Sequence, residues 1–302
     1  MKAADALITN TKGIKMAYTS GDLILDDHYN GFATNTNDVW GSGSGDYGYG
    51  QSNTISSVSA GSTVSATQWA TLLSRITSAA SHQGSSITSI TSPSVGNTIS
   101  AYTALSGNIT TIRNNRRNYT ANGSDSPSTA TRSTGWFTDC IFTHTFSFGN
   151  TTQLRYFSNA GGRIRMSFGR SGGTSNSKNT EWTDLCSKAG TVSIDPNALT
   201  SSYVQKSKTL ADTAPYTSNY IKTEAYHNGS GTVYVKCSFV DNSSDVYGDE
   251  TWSYPTDITS YDRVDGSTTC TGIIRPPSTT YLTSSWGTPT VSSSVAGGIY
   301  DY

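Results

Sequence analysis

The chain has 302 residues, of which 34% are hydrophobic and 14% are charged, and its formal net charge is -1. Typical globular proteins carry about 25% charged residues, so Ser, Thr, Asn and Gly must occupy many surface positions here. Disordered chains combine low hydrophobicity with high net charge and few aromatic residues, whereas this chain is nearly neutral and 11% aromatic. We therefore predict a folded chain, and the lack of a basic balance argues against binding to nucleic acid or anionic lipid.

The cysteines and the N-terminus bear on the compartment in which the chain folds. No stretch approaches the roughly 20 apolar residues of a membrane span, and the N-terminus lacks the apolar core of a signal peptide. Cys140, Cys186, Cys237 and Cys270 are widely spaced, unlike the dense cysteine framework of a short secreted domain. We expect a chain made in a reducing cytoplasm, with its cysteines packed as small hydrophobic side chains.

Residues 1–60 show no sustained helical periodicity. Within them, residues 41–50 combine glycine and serine with tyrosine, which is typical of a flexible loop that exposes aromatic side chains. Trp40, Tyr47 and Tyr49 are therefore candidate contact residues. We predict that residues 1–60 form an extended attachment segment that becomes ordered only against another surface.

An internal repeat introduces the next predicted segment, a helical pair over residues 61–120. The sequence GSTVSA at residues 61–66 recurs 35 residues later as GNTISA at residues 96–101, and hydroxyl residues in each copy suit helix N-caps. Apolar residues at steps of three and four follow each copy, which predicts two amphipathic helices within residues 65–118. The two apolar stripes are formed by Ala66, Trp69, Leu72, Leu73, Ile76 and Ala80, and by Ile99, Tyr102, Leu105, Ile109 and Ile112.

The same stripes also fit the seam of a coiled coil, although each covers only about two heptads. The helices can therefore pack against each other within one chain, or they can form a seam between subunits. The second alternative makes a set of apolar side chains candidate interface residues. These are Trp69, Leu72, Ile76, Tyr102, Leu105, Ile109 and Ile112.

Beyond a linker rich in Ser, Thr and Pro at residues 121–134, the periodicity changes from helix to strand. Alternation of apolar and polar residues predicts half-buried strands at residues 140–148, 163–168 and 233–239. Shorter candidates lie at residues 192–194 and 270–274. We predict a β-rich domain over residues 135–302.

Two short helices interrupt these strands. Asn150 can cap a helix at residues 151–158, and apolar residues between Trp182 and Ala189 predict a second helix that Gly190 ends. The predicted fold class is α+β and mainly β. It consists of an N-terminal irregular and helical segment with two amphipathic helices, then an antiparallel β-sandwich-like domain with short helices.

Three short motifs resemble ligand-binding or catalytic sites but lack the required context. Residues 43–48 match the dinucleotide-binding string GxGxxG, yet more loop follows instead of a helix. Residues 169–173 match the GxSxG string of serine hydrolases, with His227 as a candidate base, but a hairpin turn is the favoured interpretation. Residues 241–250 resemble a calcium loop only loosely, because the glycine is out of position. We predict no catalytic residue, no metal site and no cofactor.

Several further side chains have a structural and a functional interpretation. His144 lies in phase with phenylalanines, which favours a core position. Arg113, Arg116 and Arg117 end the second predicted helix, where cations favour the helix dipole, and a nucleic-acid contact is the less favoured alternative. Aromatic residues among turns could stack on sugar rings, anchor a protein interface or cover a sheet end. They are Trp40, Tyr47, Tyr49, Trp252, Tyr254, Tyr261, Tyr281 and Trp286.

Six blocks of the sequence are distinctive. They lie at residues 27–33 (DHYNGFA), 39–51, 66–73 (ATQWATLL), 81–84 (SHQG), 155–165 (RYFSNAGGRIR) and 286–289 (WGTP). Together they resemble virion structural proteins of marine and freshwater tailed bacteriophages, including phages of cyanobacteria. The resemblance covers nearly the whole chain and implies a component of the tail, baseplate, neck or fibre. It implies no catalytic residue.

This resemblance implies an adaptor or fibre base that binds other phage structural proteins and is assembled into the virion from the host cytoplasm. Because phage appendages are symmetric, a homo-oligomer is expected, either a trimer or a hexamer-symmetric array. The alternatives are a capsid decoration protein and, less favoured, a host-surface adhesin or depolymerase. A host-surface glycan is a further candidate partner, whereas a membrane or nucleic acid is not expected.

Overall fold

The computed structural model describes residues 8–9, 15–16, 26–94, 101–243 and 263–297. The fold is α+β and mainly β, which confirms the predicted class. The chain divides into two compact units. The first comprises Met1–Ala121 and Ser278–Ser285, and the second comprises Asn122–Pro277 and Trp286–Tyr302.

The described helices and strands have the following bounds. The helices are α1 (Asp26–Trp40), α2 (Ala66–Gln83), α3 (Tyr102–Asn114), α4 (Thr151–Asn159) and α5 (Ser177–Ala189), and a short 3-10 helix spans Pro196–Ala198. The strands are β1 (Ile8–Thr9), β2 (Lys15–Met16), β3 (Ser126–Arg132), β4 (Asp139–Ser147), β5 (Arg163–Ser171), β6 (Thr191–Ile194), β7 (Val204–Leu210), β8 (Tyr220–His227), β9 (Thr232–Val240), β10 (Ser267–Arg275) and β11 (Thr290–Ala296). Among these helices, none is both long enough and apolar enough to cross a bilayer.

The first unit packs α1 against α2 and α3. The ring of Tyr29 on α1 meets Trp69 on α2 edge-on, with centroids 5.4 Å apart, and Phe32 contacts Tyr102 on α3 at 5.2 Å. The two predicted helices are thus confirmed as α2 and α3. The predicted extended segment over residues 1–60 is wrong where α1 forms. Asparagine, threonine and aspartate dilute the apolar pattern of α1, so packing stabilises this helix more than its own propensity does.

Local signals define the ends of α2 but not those of α3. Ser65 and Gln68 form a reciprocal capping box at the start of α2, and Gly84 ends it in the left-handed conformation with φ 67°. The N-cap of α3 is Ala101, which offers no side-chain hydrogen bond. The hydroxyl cap predicted from the repeat is therefore present in the first copy only, and residues 96–100 of the second copy lie outside the described residues.

Two asparagines of α1 hold the segment that follows it. Asn37 donates to the Ile55 carbonyl at 2.8 Å and accepts from the Ile55 amide at 2.9 Å. Asn30 makes the same two bonds with Val58, at 2.9 and 2.8 Å. Each asparagine amide thus replaces the backbone pairing that a neighbouring strand would supply. This corrects the prediction that residues 1–60 become ordered only against a partner, because the part around Ile55 and Val58 is held by α1 of the same chain.

The second unit contains two antiparallel sheets. One has four strands in the order β3-β10-β5-β6, and the other has five in the order β11-β4-β9-β8-β7. The predicted linker at residues 121–134 is wrong, because β3 lies within it and pairs with β10, with Ala130 opposite Cys270. This strand is rich in serine and threonine and lacks the alternation of apolar and polar residues that predicts a strand. Its partner stands far along the chain, so no local signal predicts it.

Aromatic side chains fill the space between the two sheets. Phe168 of β5 and Phe239 of β9 meet edge-on with centroids 5.8 Å apart, and Phe239 also contacts Phe142 of β4 at 5.5 Å. Trp182 of α5 packs edge-on against Trp136 at 4.9 Å. The arrangement is sandwich-like, as predicted, with α5 packed against β5.

The two short helices of this unit match their predicted positions. The Asn150 side chain caps α4 by accepting from the Gln153 amide, and Gly190 ends α5. Asn176, which the sequence pattern did not single out, caps the start of α5 by accepting from the Asn179 amide. Both helices therefore start with an asparagine side chain on an otherwise unpaired backbone N–H group.

Candidate functional site

The helical residues predicted as a subunit interface lie inside the first unit. None of them is more than 4% exposed: Trp69, Leu72, Ile76, Tyr102, Leu105, Ile109 and Ile112. The stripes face each other and α1, which the sequence did not predict as a helix. Of the two alternatives, packing within the chain is therefore correct. A seam between subunits cannot use these side chains unless the unit opens.

Two of the three candidate contact residues in the N-terminal segment are also buried. Trp40 is 2% exposed and donates from Nε1 to Asn53 Oδ1 at 2.9 Å. Tyr49 is 0% exposed, and its hydroxyl donates to the Arg116 carbonyl and accepts from Gln83 Nε2, both at 2.8 Å. These aromatic residues hold the first unit together, which corrects their assignment as contact residues.

Tyr47, the third candidate, is half-buried beneath two arginines. The guanidinium carbons of Arg116 and Arg113 lie 4.0 and 4.9 Å from its ring centroid. Arg113 also pairs with Asp38 at 2.8 Å, and Arg116 pairs with Asp46. Arg113 and Arg116 therefore form ion pairs and cation–π contacts within the first unit. This favours a structural role for them over a nucleic-acid contact.

The GxGxxG string forms a tight loop after α1. Gly43 and Gly48 have positive φ angles of 47° and 96°. A Cβ atom on Gly48 would lie 2.2 Å from the Ser42 carbonyl oxygen. Glycine is therefore required here for close approach of the backbone to itself, and no helix N-terminus follows that could receive a phosphate.

The GxSxG string connects β5 to α5, so the predicted hairpin turn is wrong. The loop is held by Asp265, which accepts from the Thr174 amide at 3.0 Å and the Thr174 hydroxyl at 2.6 Å, and pairs with Arg170 at 3.4 Å. Burial raises the pKa of Asp265, but hydrogen bonds from Thr174 and Asn179 and the charge of Arg170 outweigh it and hold the pKa below its usual range.

Ser171 and His227 stand on different sheets. Ser171 ends β5 in the four-stranded sheet, opposite Ser267. His227 ends β8 in the five-stranded sheet, and its Nδ1 accepts from the Gly229 amide at 3.1 Å. A serine nucleophile needs a base within hydrogen-bonding distance, and none of the contacts of these two residues supplies that arrangement.

The interior of the second unit holds the cysteines and His144. All four cysteines are free and buried, which confirms their predicted packing role. Burial raises the pKa of the Cys140 thiol to about 12 and lowers that of His144 to about 4. Within the described ranges, no three His, Cys, Asp or Glu side chains gather as metal ligands.

Asp241, the first residue of the loosely calcium-like stretch, is 3% exposed and pairs with Lys178 of α5 at 3.0 Å. This buried ion pair accounts for the Asp241 carboxylate without a metal ion. Residues 244–250 of that stretch lie outside the described residues. So do Trp252, Tyr254 and Tyr261, which were candidate aromatic contacts.

Three tyrosines, of which Tyr203 is exposed and Tyr226 and Tyr234 are half-buried, form a cluster on the outer side of the five-stranded sheet. Tyr226 of β8 lies opposite Tyr234 of β9, with the rings stacked 4.8 Å apart at an interplanar angle of 11°. Tyr203, immediately before β7, meets Tyr226 edge-on at 4.6 Å and remains 41% exposed. We call this cluster, together with Lys236 and Glu224, the tyrosine face.

Charged groups border the rings of the tyrosine face. Lys236 Nζ lies 4.8 Å from the Tyr203 ring centroid and 3.0 Å from Glu224, which also pairs with Lys222 at 3.2 Å. Burial raises the pKa of Glu224, but the two lysines outweigh this and lower it. The face therefore presents aromatic rings, hydroxyl groups and ammonium groups on the five-stranded sheet. Aromatic rings with hydroxyl groups at their edges are common at binding surfaces of proteins.

A period of two along β8 and β9 could have revealed this face. Tyr220, Lys222, Glu224 and Tyr226 alternate with inward-facing residues, and Tyr234 and Lys236 do so on β9. These tyrosines lie on strands, outside the turn segments in which the sequence predicts aromatic contacts. Of the turn aromatics that the structure describes, Trp286 is 3% exposed and Tyr281 is 45% exposed.

Most of the blocks that carry the phage resemblance contribute to packing. Tyr29 contacts Trp69, and Tyr49 contacts His82 with ring centroids 5.2 Å apart, so four of the blocks meet in the core of the first unit. The tyrosine face lies outside all six blocks. Comparisons of this chain with protein-family models, with curated proteins and with solved structures gave no match.

Proposed function

We propose that this chain is a structural protein of a tailed bacteriophage particle, which binds other virion proteins and catalyses no reaction. In this proposal it belongs to the tail, baseplate, neck or fibre and reaches the virion from the host cytoplasm. The tyrosine face is its principal contact surface. The alternative location is the capsid, where the chain would act as a decoration protein.

The tyrosine face, with its exposed Tyr203 and its stacked pair Tyr226 and Tyr234, is the observation that supports this proposal most. Stacking of Tyr226 on Tyr234 limits the motion of both rings, so little side-chain entropy is lost when a partner covers them. Tyr, Trp and Arg are enriched at the centres of protein interfaces, where aromatic rings supply contact area and hydroxyl groups supply directed hydrogen bonds. The resemblance of the sequence blocks adds the phage context.

The first experiment determines whether the chain is a virion component and where it lies. Particles purified by density gradient are analysed by quantitative mass spectrometry, and the chain is located by antibody labelling in electron microscopy. We expect the chain at the tail, in a copy number far below that of the major capsid protein. Labelling over the capsid with a comparable copy number would favour the decoration alternative. Absence from purified particles contradicts the proposal.

The second experiment tests the face itself. A phage that lacks this gene is complemented with one of three chains. These are the wild type, a double variant that carries both Tyr203→Ala and Lys236→Ala, and the control variant Tyr281→Ala. Tyr281 has a similar exposure, at 45%, but lies outside the face. We expect the double variant to fold normally, as judged by circular dichroism, yet to be incorporated poorly. Equal incorporation of all three chains would exclude the face as the contact surface.

A second candidate function is binding of a host-surface glycan. The Tyr203 ring favours it, because an exposed aromatic face can stack on the apolar face of a sugar and Glu224 and Lys236 nearby can bond its hydroxyl groups. Saturation-transfer NMR with host surface polysaccharide distinguishes this candidate from protein binding. Polysaccharide signals that disappear in Tyr203→Ala but persist in Tyr281→Ala would support it, and no saturation transfer from the wild-type chain to the polysaccharide would exclude it.

A further inference from the structure

The two sheets of the second unit have four edge strands, and three of them carry features that discourage pairing with another chain. β6 has only 4 residues. β3 contains Pro127, which has no N–H group to donate. β7 has a register shift between Gln205 and Ser207, and its lysines Lys206 and Lys208 lie at the edge. Short length, proline, bulges and lysine are the usual means by which sheets avoid edge-to-edge association.

The fourth edge strand, β11, has none of these features. It is 7 residues long, with the sequence TVSSSVA, and it pairs with β4 in continuous register. No charged residue, proline or bulge interrupts it. Among the described residues no strand pairs with its outer edge through backbone hydrogen bonds, although β3 of the other sheet lies against β11 and Arg132 at the end of β3 donates to the Gly297 carbonyl at 2.7 Å. The strand is exposed along nearly its whole length.

We propose that β11 pairs with β11 of a second copy of this chain, in antiparallel orientation, about a twofold axis at Ser293. The five-stranded sheets of the two copies then form one continuous sheet. This inference goes beyond the proposed function and does not depend on it, because it assigns a self-association surface distinct from the tyrosine face. It also replaces the helical stripes, which are buried, as the surface through which copies associate.

The sequence of β11 is nearly symmetric about Ser293, and this identifies the occupant as a second copy. In the antiparallel pair, Val291 lies opposite Val295 of the second copy, Ser292 opposite Ser294, and Thr290 opposite Ala296. Valine thus meets valine, serine meets serine, and no like charges face each other. An isologous interface requires this self-complementarity, whereas pairing with an unrelated strand does not.

The valines supply an apolar contribution to the pairing. Val291 and Val295 pair with Phe146 and Phe142, so both side chains lie on the side of the sheet that faces the core. Val295 nevertheless remains 36% exposed, because it lies at the sheet edge. In the paired state the valines of both copies form one row across the joined edges, and the exposed part of Val295 becomes covered.

The first test measures the mass of the full-length chain by analytical ultracentrifugation over a range of concentrations. We expect a reversible dimer for the wild type and a monomer for Ser293→Asp, because the two aspartates would face each other at the axis. Ser230→Asp, on the exposed hairpin between β8 and β9, is the matched control and should remain a dimer. Unchanged circular dichroism shows that each variant is folded.

The second test determines the register by disulfide formation. Cα atoms directly opposite in an antiparallel pair are about 4.5–5.5 Å apart, within the range of a disulfide, so Ser293→Cys should link two copies under mild oxidation. Ser292→Cys places equivalent positions roughly 8 Å apart and should not link them. The native cysteines are buried and should not interfere.

Three outcomes would overturn the inference. The first is a wild-type chain that stays monomeric at the highest concentration tested. The second is an oligomer whose mass Ser293→Asp leaves unchanged. The third is efficient linkage through position 292 with none through position 293, since that pattern requires another register.

Discussion

His144 should make the second unit less stable in mild acid. It lies on β4 with 0% exposure and faces β10, where a Cβ atom on Gly272 would come within 2.7 Å of its Nδ1. Burial lowers the pKa of His144 from 6.5 to about 4, and the backbone of Cys270 opposes this shift without cancelling it. In the unfolded chain the imidazole returns to its ordinary pKa. Between these two pKa values the unfolded state therefore binds more protons than the folded state.

The size of the effect follows from the two pKa values. Because the unfolded state gains the proton first, the free energy of unfolding decreases as the pH falls from about 6.5 towards 4. With pKa values of 6.5 and about 4, the loss is about 1.4 kcal/mol at pH 5.5 and about 2.5 kcal/mol at pH 4.5. Domains are stable by only about 5–15 kcal/mol, so this single side chain should change the unfolding midpoint measurably.

Urea denaturation of the full-length chain at pH 7.5, 6.5, 5.5 and 4.5 measures this dependence. Fluorescence follows the second unit through Trp136 and Trp182, which are 1% exposed, and the first unit through Trp40 and Trp69, whose contribution is common to the two proteins that are compared. The comparison is with His144→Leu, which has no titrating group at this position. Changes due to carboxylates are common to both proteins, so they cancel in the difference between the two pH profiles.

The variant should lose less stability than the wild type between pH 7.5 and 5.5, by about 1.4 kcal/mol. Its stability at pH 7.5 can shift in either direction, because leucine removes a polar ring from an apolar site but fills the site differently. That offset does not affect the test. Parallel pH profiles for the two proteins would show that His144 is not the group whose burial limits acid stability.

Three further perturbations follow from the packing. Gly272→Ala should destabilise the chain by about 1–3 kcal/mol, because the new Cβ atom would collide with His144 and Phe146. Gly107→Ala in α3 places its Cβ atom in open space and should stabilise the chain by about 0.5–1 kcal/mol. Equal unfolding temperatures of the two variants in thermal denaturation would contradict this prediction. Lys178→Met should cost about 3–5 kcal/mol in urea denaturation by leaving Asp241 buried without its cation, and adding Asp241→Leu should recover most of the loss. A double variant no more stable than Lys178→Met would refute that account. Leu72→Ala should cost about 2–5 kcal/mol and lower the helical circular dichroism without changing the oligomer mass of the folded chain.

Elements with local signals could be predicted from the sequence. α2 has its capping box at Ser65 and its stop at Gly84, and α4 has its cap at Asn150. β4 shows alternation of buried and half-buried residues over its whole length, and β9 does so over most of its length. In each case the residues that define the element lie within a few positions of one another, so their pattern is visible without the rest of the chain.

Elements that depend on distant partners were not predicted. β3 is rich in serine and threonine and becomes a strand because β10 supplies its hydrogen bonds from the other end of the domain. α1 has a diluted apolar pattern and is stabilised by α2 and α3. Composition alone made residues 41–60 look unstructured, yet the side chains of Asn30 and Asn37 anchor their second half. Non-local hydrogen bonds leave no periodic trace in the sequence.

Within the periodic helices and strands, the sequence by itself determined which side chains must be buried, and the tertiary structure decided what buries them. An amphipathic stripe such as that of Trp69, Leu72 and Ile76 has the same spacing whether it faces a helix of its own chain or a second subunit. Only the position of α1 distinguishes these alternatives. The tyrosine face and the open edge of β11 were decided in the same way, since strand order determines which rings become neighbours and which strand is left at the edge. Periodicity reports how far a side chain is removed from water, and it carries no information about the identity of the group that removes it.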